Sequence, residues 1–198
     1  MLAQPSASSQ LAHSSQTIMR EITEPSSTLV LGGVRSGKSA YAERLVTERA
    51  QGRTLTYIAT GEAFDDGMRT RIAGHVTRRG DLWTTREAPV ELPQALLDGA
   101  GADAIVLVDC LSVWLGNLLH YDKDVAAATG ELLECLPRLA GPAVFVASET
   151  GLGLLPDNEL GRHFCDAAGQ LNQDVAALCD EVTLVVAGYP VPVKSANE

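Results

Sequence analysis

The sequence predicts an α/β fold, a mostly parallel central sheet flanked by helices. Three observations carry this expectation. Five short apolar runs are continuous rather than alternating, as in strands covered on both faces. Helical patterns separate them, and strands alternating with helices imply right-handed parallel crossovers. A glycine-rich segment joins the first run to the first helical pattern, where a parallel sheet exposes its strand ends to ligands.

The elements follow in order. Residues 1–26 are dominated by Ser, Gln, Ala and Pro without a sustained period, and are expected to be a poorly ordered tail. Residues 27–198 are expected to be one domain, with no internal repeat. Thr28–Leu31 is the first strand, ending at Gly32-Gly33, and Lys38–Arg49 the first helix, stopped near Gly52. Thr54–Thr60 is the second strand. A helix from Asp65 to about Thr77 has Asp65 or Asp66 as its N-cap. Ala104–Asp109 is the third apolar run. Val125 to about Leu139 is helical through Leu132, Leu133, Leu136 and Leu139, and Gly141-Pro142 ends it. Ala143–Ala147 and Val182–Ala187 complete the strands. Between them, Asn158–Cys179 places Leu160, Phe164, Ala168, Leu171, Val175 and Leu178 on one helical stripe.

Composition narrows the partners. The 198 residues carry 15 Lys and Arg against 25 Asp and Glu, and 15 − 25 leaves a net charge of −10. This argues against nucleic acid or an anionic membrane as the main partner, since both require a basic face. A small anion in a local positive pocket is compatible with it. Cys110, Cys135, Cys165 and Cys179 form no C-x-x-C pair and read as buried, reduced thiols. No apolar run approaches the ~20 residues that span a bilayer, and the N-terminus has no secretory pattern, so a cytoplasmic protein is expected.

The glycine-rich segment is Gly32-Gly33-Val34-Arg35-Ser36-Gly37-Lys38-Ser39, which fits G-x-x-x-x-G-K-[ST] between a strand and a helix. Each residue type has a physical reason. The glycines permit a tight loop whose amides point at phosphate oxygens, and the helix N-terminus adds positive potential. Lys38 neutralises the β- and γ-phosphates, and the Ser39 hydroxyl can ligate Mg²⁺. Asp109, at the end of an apolar strand, supplies the carboxylate such a site needs for the metal. The motif alone fits a kinase, a GTPase switch, a motor or a transport ATPase. The chain is short for most motors, and a guanine-reading N-K-x-D is absent. A small-molecule kinase is the reading these residues favour, with a nucleotide-dependent regulatory module as the non-enzymatic alternative.

Several further stretches combine with the loop. They are Tyr57–Thr60, Asp65–Met68 with Arg71-Ile72 and His75, Trp83–Glu87, and Asp109-Cys110 with Asn117–Leu119. Later come Glu149–Gly153 with Pro156 and Asn158, and Gly161–Gly169 with Leu171–Gln173. In this order they resemble the bifunctional adenosylcobinamide kinase / adenosylcobinamide-phosphate guanylyltransferase family of cobalamin biosynthesis, over about Thr28 to Lys194. The resemblance implies a RecA-like P-loop fold and a homotrimer. It implies phosphorylation of adenosylcobinamide by ATP or GTP, then transfer of GMP from GTP to the resulting phosphate through a covalent histidine adduct, with pyrophosphate released.

Carried onto this sequence, the resemblance makes His75 the nucleophile, beside Lys38 as the second catalytic residue. By spacing alone His75 joins Met68 and Ile72 on a helical face, where a lone histidine is more often packed in the core than catalytic. The resemblance places Ala59, Thr60 and Gly61 at the nucleotide and Glu87 near the guanine. Arg78 and Arg79 follow His75 closely; they can neutralise the α-phosphate or pyrophosphate, or form a solvated basic patch. Glu149 and Asp109 are candidates for the base of the kinase step. His120 and His163 read as structural. The sequence departs from the family pattern at Gly67, at Val76, where many members have Arg, and at Gly80, where many have Pro.

Overall fold

The computed structural model describes residues 27–64 and 66–196, the side chains of Met68, Arg71 and Arg78 excepted. The expected tail, 1–26, lies outside the described residues, as does Asp65. Seven strands form one sheet: β1 (Ser27–Gly32), β2 (Thr54–Ala59), β3 (Trp83–Glu87), β4 (Ala104–Asp109), β5 (Ala143–Ser148), β6 (Glu181–Val186) and β7 (Tyr189–Lys194). Their order is β3-β2-β4-β5-β1-β6-β7, parallel throughout except for the antiparallel β6–β7 pair. The helices are α1 (Lys38–Arg49), α2 (Asp66–Arg79), α3 (Leu92–Gly99), α4 (Leu111–His120), α5 (Val125–Cys135) and α6 (Glu159–Leu178).

Continuous apolar strands feed two cores, one on each face of the sheet, because successive side chains point to opposite sides. Leu29, Ile58, Val106, Val108 and Phe145 face α3, α4, α5 and α6, meeting Leu96, Trp114, Leu115, Leu132 and Leu171. Val30, Tyr57, Leu107, Val144 and Val146 face the other way, onto Ala42 and Val46 of α1. Burying each such Val, Leu or Phe side chain stabilises the fold by about 1.5–3 kcal/mol before entropy is counted. No helix among the described residues is long and apolar enough to cross a membrane.

Elements absent from the sequence expectation have weak local signals. β3 and β7 are edge strands; their residues are mostly exposed, and β7 carries Pro190 and Pro192 where an edge tolerates a missing donor. β6 ends at Val186, and Ala187 (φ 51°) and Gly188 (φ 87°) make the hairpin turn into β7. The short helix α3 starts with Pro93 in its first turn. α4 is the exception: Leu111, Trp114, Leu115 and Leu118 stand at i, i+3, i+4 and i+7 and are buried, a helical stripe that was legible and was not singled out.

Three expectations change in detail. Asp66 is the first helical residue of α2 rather than its cap, and its carboxylate accepts from Arg69 Nε at 3.1 Å. The helix expected to reach Leu139 ends at Cys135 and tightens into a 3₁₀ turn, Leu136–Arg138, around Pro137. The α6 stripe is buried at Ala168, Leu171 and Val175, whereas Leu160 and Leu178 at its ends are exposed. Asn158 caps α6, accepting from the Gly161 amide at 2.7 Å. Cys110, Cys135 and Cys179 are buried as expected, whereas Cys165 is half-buried.

Candidate active site

The glycine-rich segment forms the loop that the motif demands. It leaves β1 and turns through Arg35 (φ 57°) and Gly37 (φ 95°) into α1. At Gly37 the left-handed backbone excludes most side chains, and an added Cβ would press on Gly188 Cα at 3.3 Å. The Gly188 amide donates to the Ser36 carbonyl at 2.8 Å, so the β6–β7 turn braces the loop. Lys38 Nζ donates to the Gly33 carbonyl at 3.1 Å, folded across the loop it serves.

Parallel register aligns the chemistry beside this loop. Ala59 of β2 pairs with Glu87 of β3 on one side and Asp109 of β4 on the other. The three therefore form a row at the C-terminal ends of adjacent strands, where open α/β sheets bind ligands. Asp109 is the hub. Its Oδ1 accepts from Ser39 Oγ at 3.3 Å, and its Oδ2 accepts from the Tyr57 hydroxyl at 3.1 Å. Burial, reinforced by Asp109, pushes the Tyr57 phenol far above its ordinary range, so it stays a proton donor. The Asp109–Cys110 peptide bond is cis.

His75 reaches the same hub from α2. Its Nδ1 lies 3.4 Å from Asp109 Oδ2 and 3.7 Å from Glu43 Oε1 of α1. It is thus not a histidine packed into the apolar core; it faces two carboxylates, with 30% of its side chain exposed. One turn further on, the Arg79 guanidinium lies 3.4 Å over the Tyr57 ring. Arg79 is buried and its Nη1 has no hydrogen-bond partner among the described residues; its burial removes the solvated-patch reading for this residue. The Arg78 side chain lies outside the described residues. Oxygen donors from Ser39 and Asp109, already adjacent, suit a hard cation such as Mg²⁺.

The cobinamide kinase / cobinamide phosphate guanyltransferase family matches residues 28–193, nearly all of the described chain. The chain belongs to this family. Among curated relatives, the bifunctional adenosylcobalamin biosynthesis protein CobP of Pseudomonas aeruginosa is 48% identical over 84% of this chain and 96% of its own length. The corresponding CobU protein of Escherichia coli is 36% identical over 84% of this chain and 98% of its own. Among solved structures, one ATPase domain superposes with a TM-score of 0.50 at 10% identity, covering 87% of this chain and 78% of that one. That likeness concerns the fold alone, and it agrees with the RecA-like P-loop architecture expected above.

Within this cobinamide kinase / guanyltransferase framework, the residues singled out by sequence separate into groups. Ser39, Asp109 and His75 come together, with Lys38 and Arg79 at the same strand ends. Thr60 turns its side chain inward. It is fully buried; its hydroxyl donates to the Cys110 carbonyl and accepts from the Cys110 amide, both at 2.8 Å, clamping β2 to the end of β4. Glu87 is exposed and lines a cleft of about 330 Å³ with Arg86, Pro89, Glu91 and Gln94. Glu149 donates its amide to the Gly32 carbonyl at 3.1 Å, standing beside the loop's root. His120 packs against Phe64 at 4.9 Å between ring centroids, and His163 is exposed on α6.

Sequence reasoning missed Glu43 and the function of Asn117. Glu43 is only 7% exposed yet lies between Ala42 and Val46 on the buried face of α1. An acid on an apolar helix face was the available signal. Asn117 Nδ2 donates to the carbonyls of Thr60 (2.7 Å) and Pro89 (2.9 Å), tying α4 to the loops that follow β2 and β3.

Proposed function

We propose that this chain carries out both reactions of its family at one nucleotide site, as a single catalytic domain spanning 27–198. The phosphate loop would hold ATP or GTP through its amides, Lys38 and the N-terminus of α1. Ser39 and Asp109 would hold Mg²⁺, which supplies electrostatic neutralisation of the phosphates. In the kinase reaction the aminopropanol hydroxyl of adenosylcobinamide attacks the γ-phosphorus. Of the two candidates for general base, Glu149 is the less engaged: both Asp109 oxygens accept hydrogen bonds, whereas Glu149 accepts at Oε1, from the Gly151 amide at 2.8 Å.

In the second reaction His75 attacks the α-phosphorus of GTP, releases pyrophosphate and hands GMP to adenosylcobinamide phosphate. The observation that carries this reading is the convergence of His75 and Ser39 on the single carboxylate of Asp109. Arg79, buried and with no partner for Nη1 among the described residues, is suited to the charge that builds on the leaving pyrophosphate. The α- and γ-phosphorus atoms lie about 5 Å apart, while attack needs about 3–3.5 Å. Either α2, most of whose residues are exposed, shifts between the reactions, or the nucleotide takes two poses.

A homotrimer in the cytoplasm completes the proposal. Exposed Leu152, Leu154 and Leu155 after β5 are consistent with an apolar surface that an assembly would cover. The test of the transferase is an intact mass after incubation with GTP and Mg²⁺, beside His75→Ala. A gain of one GMP, acid-labile and absent from the variant, is expected. No gain in protein that binds GTP would leave a single-function kinase.

A further inference from the structure

Two carboxylates face one imidazole nitrogen in this site, and they come from different elements. Asp109, at the end of β4, accepts from Ser39 and Tyr57 and is the carboxylate expected to meet the metal. Glu43 Oε1, 3.7 Å from His75 Nδ1, comes from the first turns of α1, the helix that opens with Lys38 and Ser39. Its side chain is 9% exposed, so it is screened from water far better than a surface acid. Helix α1 is anchored through Ala42 and Val46, both fully buried, on either side of it. The element that grips the phosphates therefore also presents a fixed carboxylate to the imidazole.

From this arrangement we infer that Glu43 is a positioning residue for guanylyl transfer, holding the proton on His75 Nδ1 so that Nε2 is the nucleophile. The inference rests on the reading of His75 given above. A carboxylate opposite Nδ1 selects the tautomer with N–H at Nδ1 and leaves the lone pair on Nε2. That lone pair forms the N–P bond at the α-phosphorus. The bond from the α-phosphorus to the bridging oxygen breaks, and its electron pair leaves with pyrophosphate. No proton leaves the ring, so the adduct carries an imidazolium-like charge that Glu43 offsets. When a phosphate oxygen of the acceptor attacks the α-phosphorus, the N–P electron pair returns to Nε2 and the starting tautomer is restored. Asp109 Oδ2 is the nearer carboxylate oxygen, at 3.4 Å, but it already accepts from the Tyr57 hydroxyl, and Asp109 would serve the metal together with Ser39.

The experiment has two parts. The first is the regiochemistry of the wild-type adduct, read by ³¹P–¹H correlation NMR of the denatured GMP-protein, which distinguishes Nε2 from Nδ1 substitution by coupling to the ring protons. The second is single-turnover adduct formation by Glu43→Gln across a GTP series. Substitution on Nε2 is expected. In Glu43→Gln the rate at saturating GTP should fall about 10- to 100-fold, as supporting residues of this kind typically do, while the half-saturating GTP concentration stays within about twofold. An N–P bond at Nδ1, or an unchanged saturating rate in the variant, overturns the inference. Should Glu43→Gln not fold, Glu43→Ala takes its place in the same single-turnover series, with the same fall in saturating rate expected and an unchanged rate overturning the inference. Absence of any adduct in the wild type would instead defeat the reading of His75, a result distinct from an adduct on the wrong nitrogen.

Discussion

His75 Nδ1 stands 3.4 Å from Asp109 Oδ2, while Oδ1 of the same carboxylate accepts from Ser39 Oγ at 3.3 Å. The nucleophile proposed for one reaction and the metal ligands proposed for both thus share a residue. Asp109→Asn keeps the size of the side chain and removes its charge. It should lower both kinase and guanylylation rates by more than about 100-fold, because each relies on electrostatic stabilisation organised at this carboxylate. Parallel assays of the two activities check this; loss of only one would separate the sites.

Tyr57 places its hydroxyl on Asp109 and its ring beneath Arg79. Tyr57→Phe keeps the cation–π contact and deletes one hydrogen bond to a charged acceptor. A stability loss of about 1–2 kcal/mol is expected in urea titration. Tyr57→Leu should cost more, since the contact beneath the guanidinium is also lost.

Arg79→Lys tests whether the fork of the guanidinium matters as well as its charge. Lys retains the positive charge but not the planar stacking surface or the paired donors. Guanylylation should fall at least about tenfold, with GTP binding, followed by a fluorescent analogue, changed by less than about threefold.

Lys194 closes the far end of the fold. Its Nζ donates to the carbonyls of Ala176 (3.1 Å), Ala177 (3.3 Å) and Cys179 (2.6 Å), at the last turn of α6. A cation there satisfies orphan carbonyls and complements the helix dipole. Lys194→Met should lower stability by about 1–2 kcal/mol and Tm by about 2–8 °C, without altering nucleotide binding.

Cys179 supplies a pH dependence. Burial pushes its thiol up from 9.0 to about 12. Below about pH 9 the thiol is protonated in folded and unfolded chains alike, and its contribution is fully present. Above that the unfolded chain ionises first, so stability falls with rising pH until the folded thiol ionises near 12. The expected slope is about 1.4 kcal/mol per pH unit at most. Urea midpoints at about pH 8 and about pH 10 check the sign, and Cys179→Ala should fall less steeply.

The departure from the family pattern at Gly80 has a structural reason. Gly80 follows α2 at φ +63°, a conformation closed to proline and costly for residues with a Cβ. A Gly80→Ala change here should cost about 1 kcal/mol, read from the urea midpoint.

The strands that fill the two cores, the phosphate loop and the family were all legible before any coordinates. These signals are local: continuous apolar runs report burial on both faces, and G-x-x-x-x-G-K-S reports a backbone shape that phosphate requires. Asp109 was singled out because a carboxylate at the end of an apolar strand beside a phosphate loop suits a metal ion as well as it suits a turn. The remaining site residues took their meaning from packing between elements. Whether His75 packs in the core or faces the site depends on where α2 lies over the sheet, which periodicity does not encode. Glu43 reads in sequence as one acid on a helix and acquires its meaning only from His75, 32 positions away (75 − 43) and 3.7 Å distant. Arg79 turned inward because the Tyr57 ring lay beneath it, and Thr60 turned away because the Cys110 backbone needed its hydroxyl. Each of these is a pairing between elements distant in the chain, and such pairings follow from strand order and register rather than from any residue's own preference.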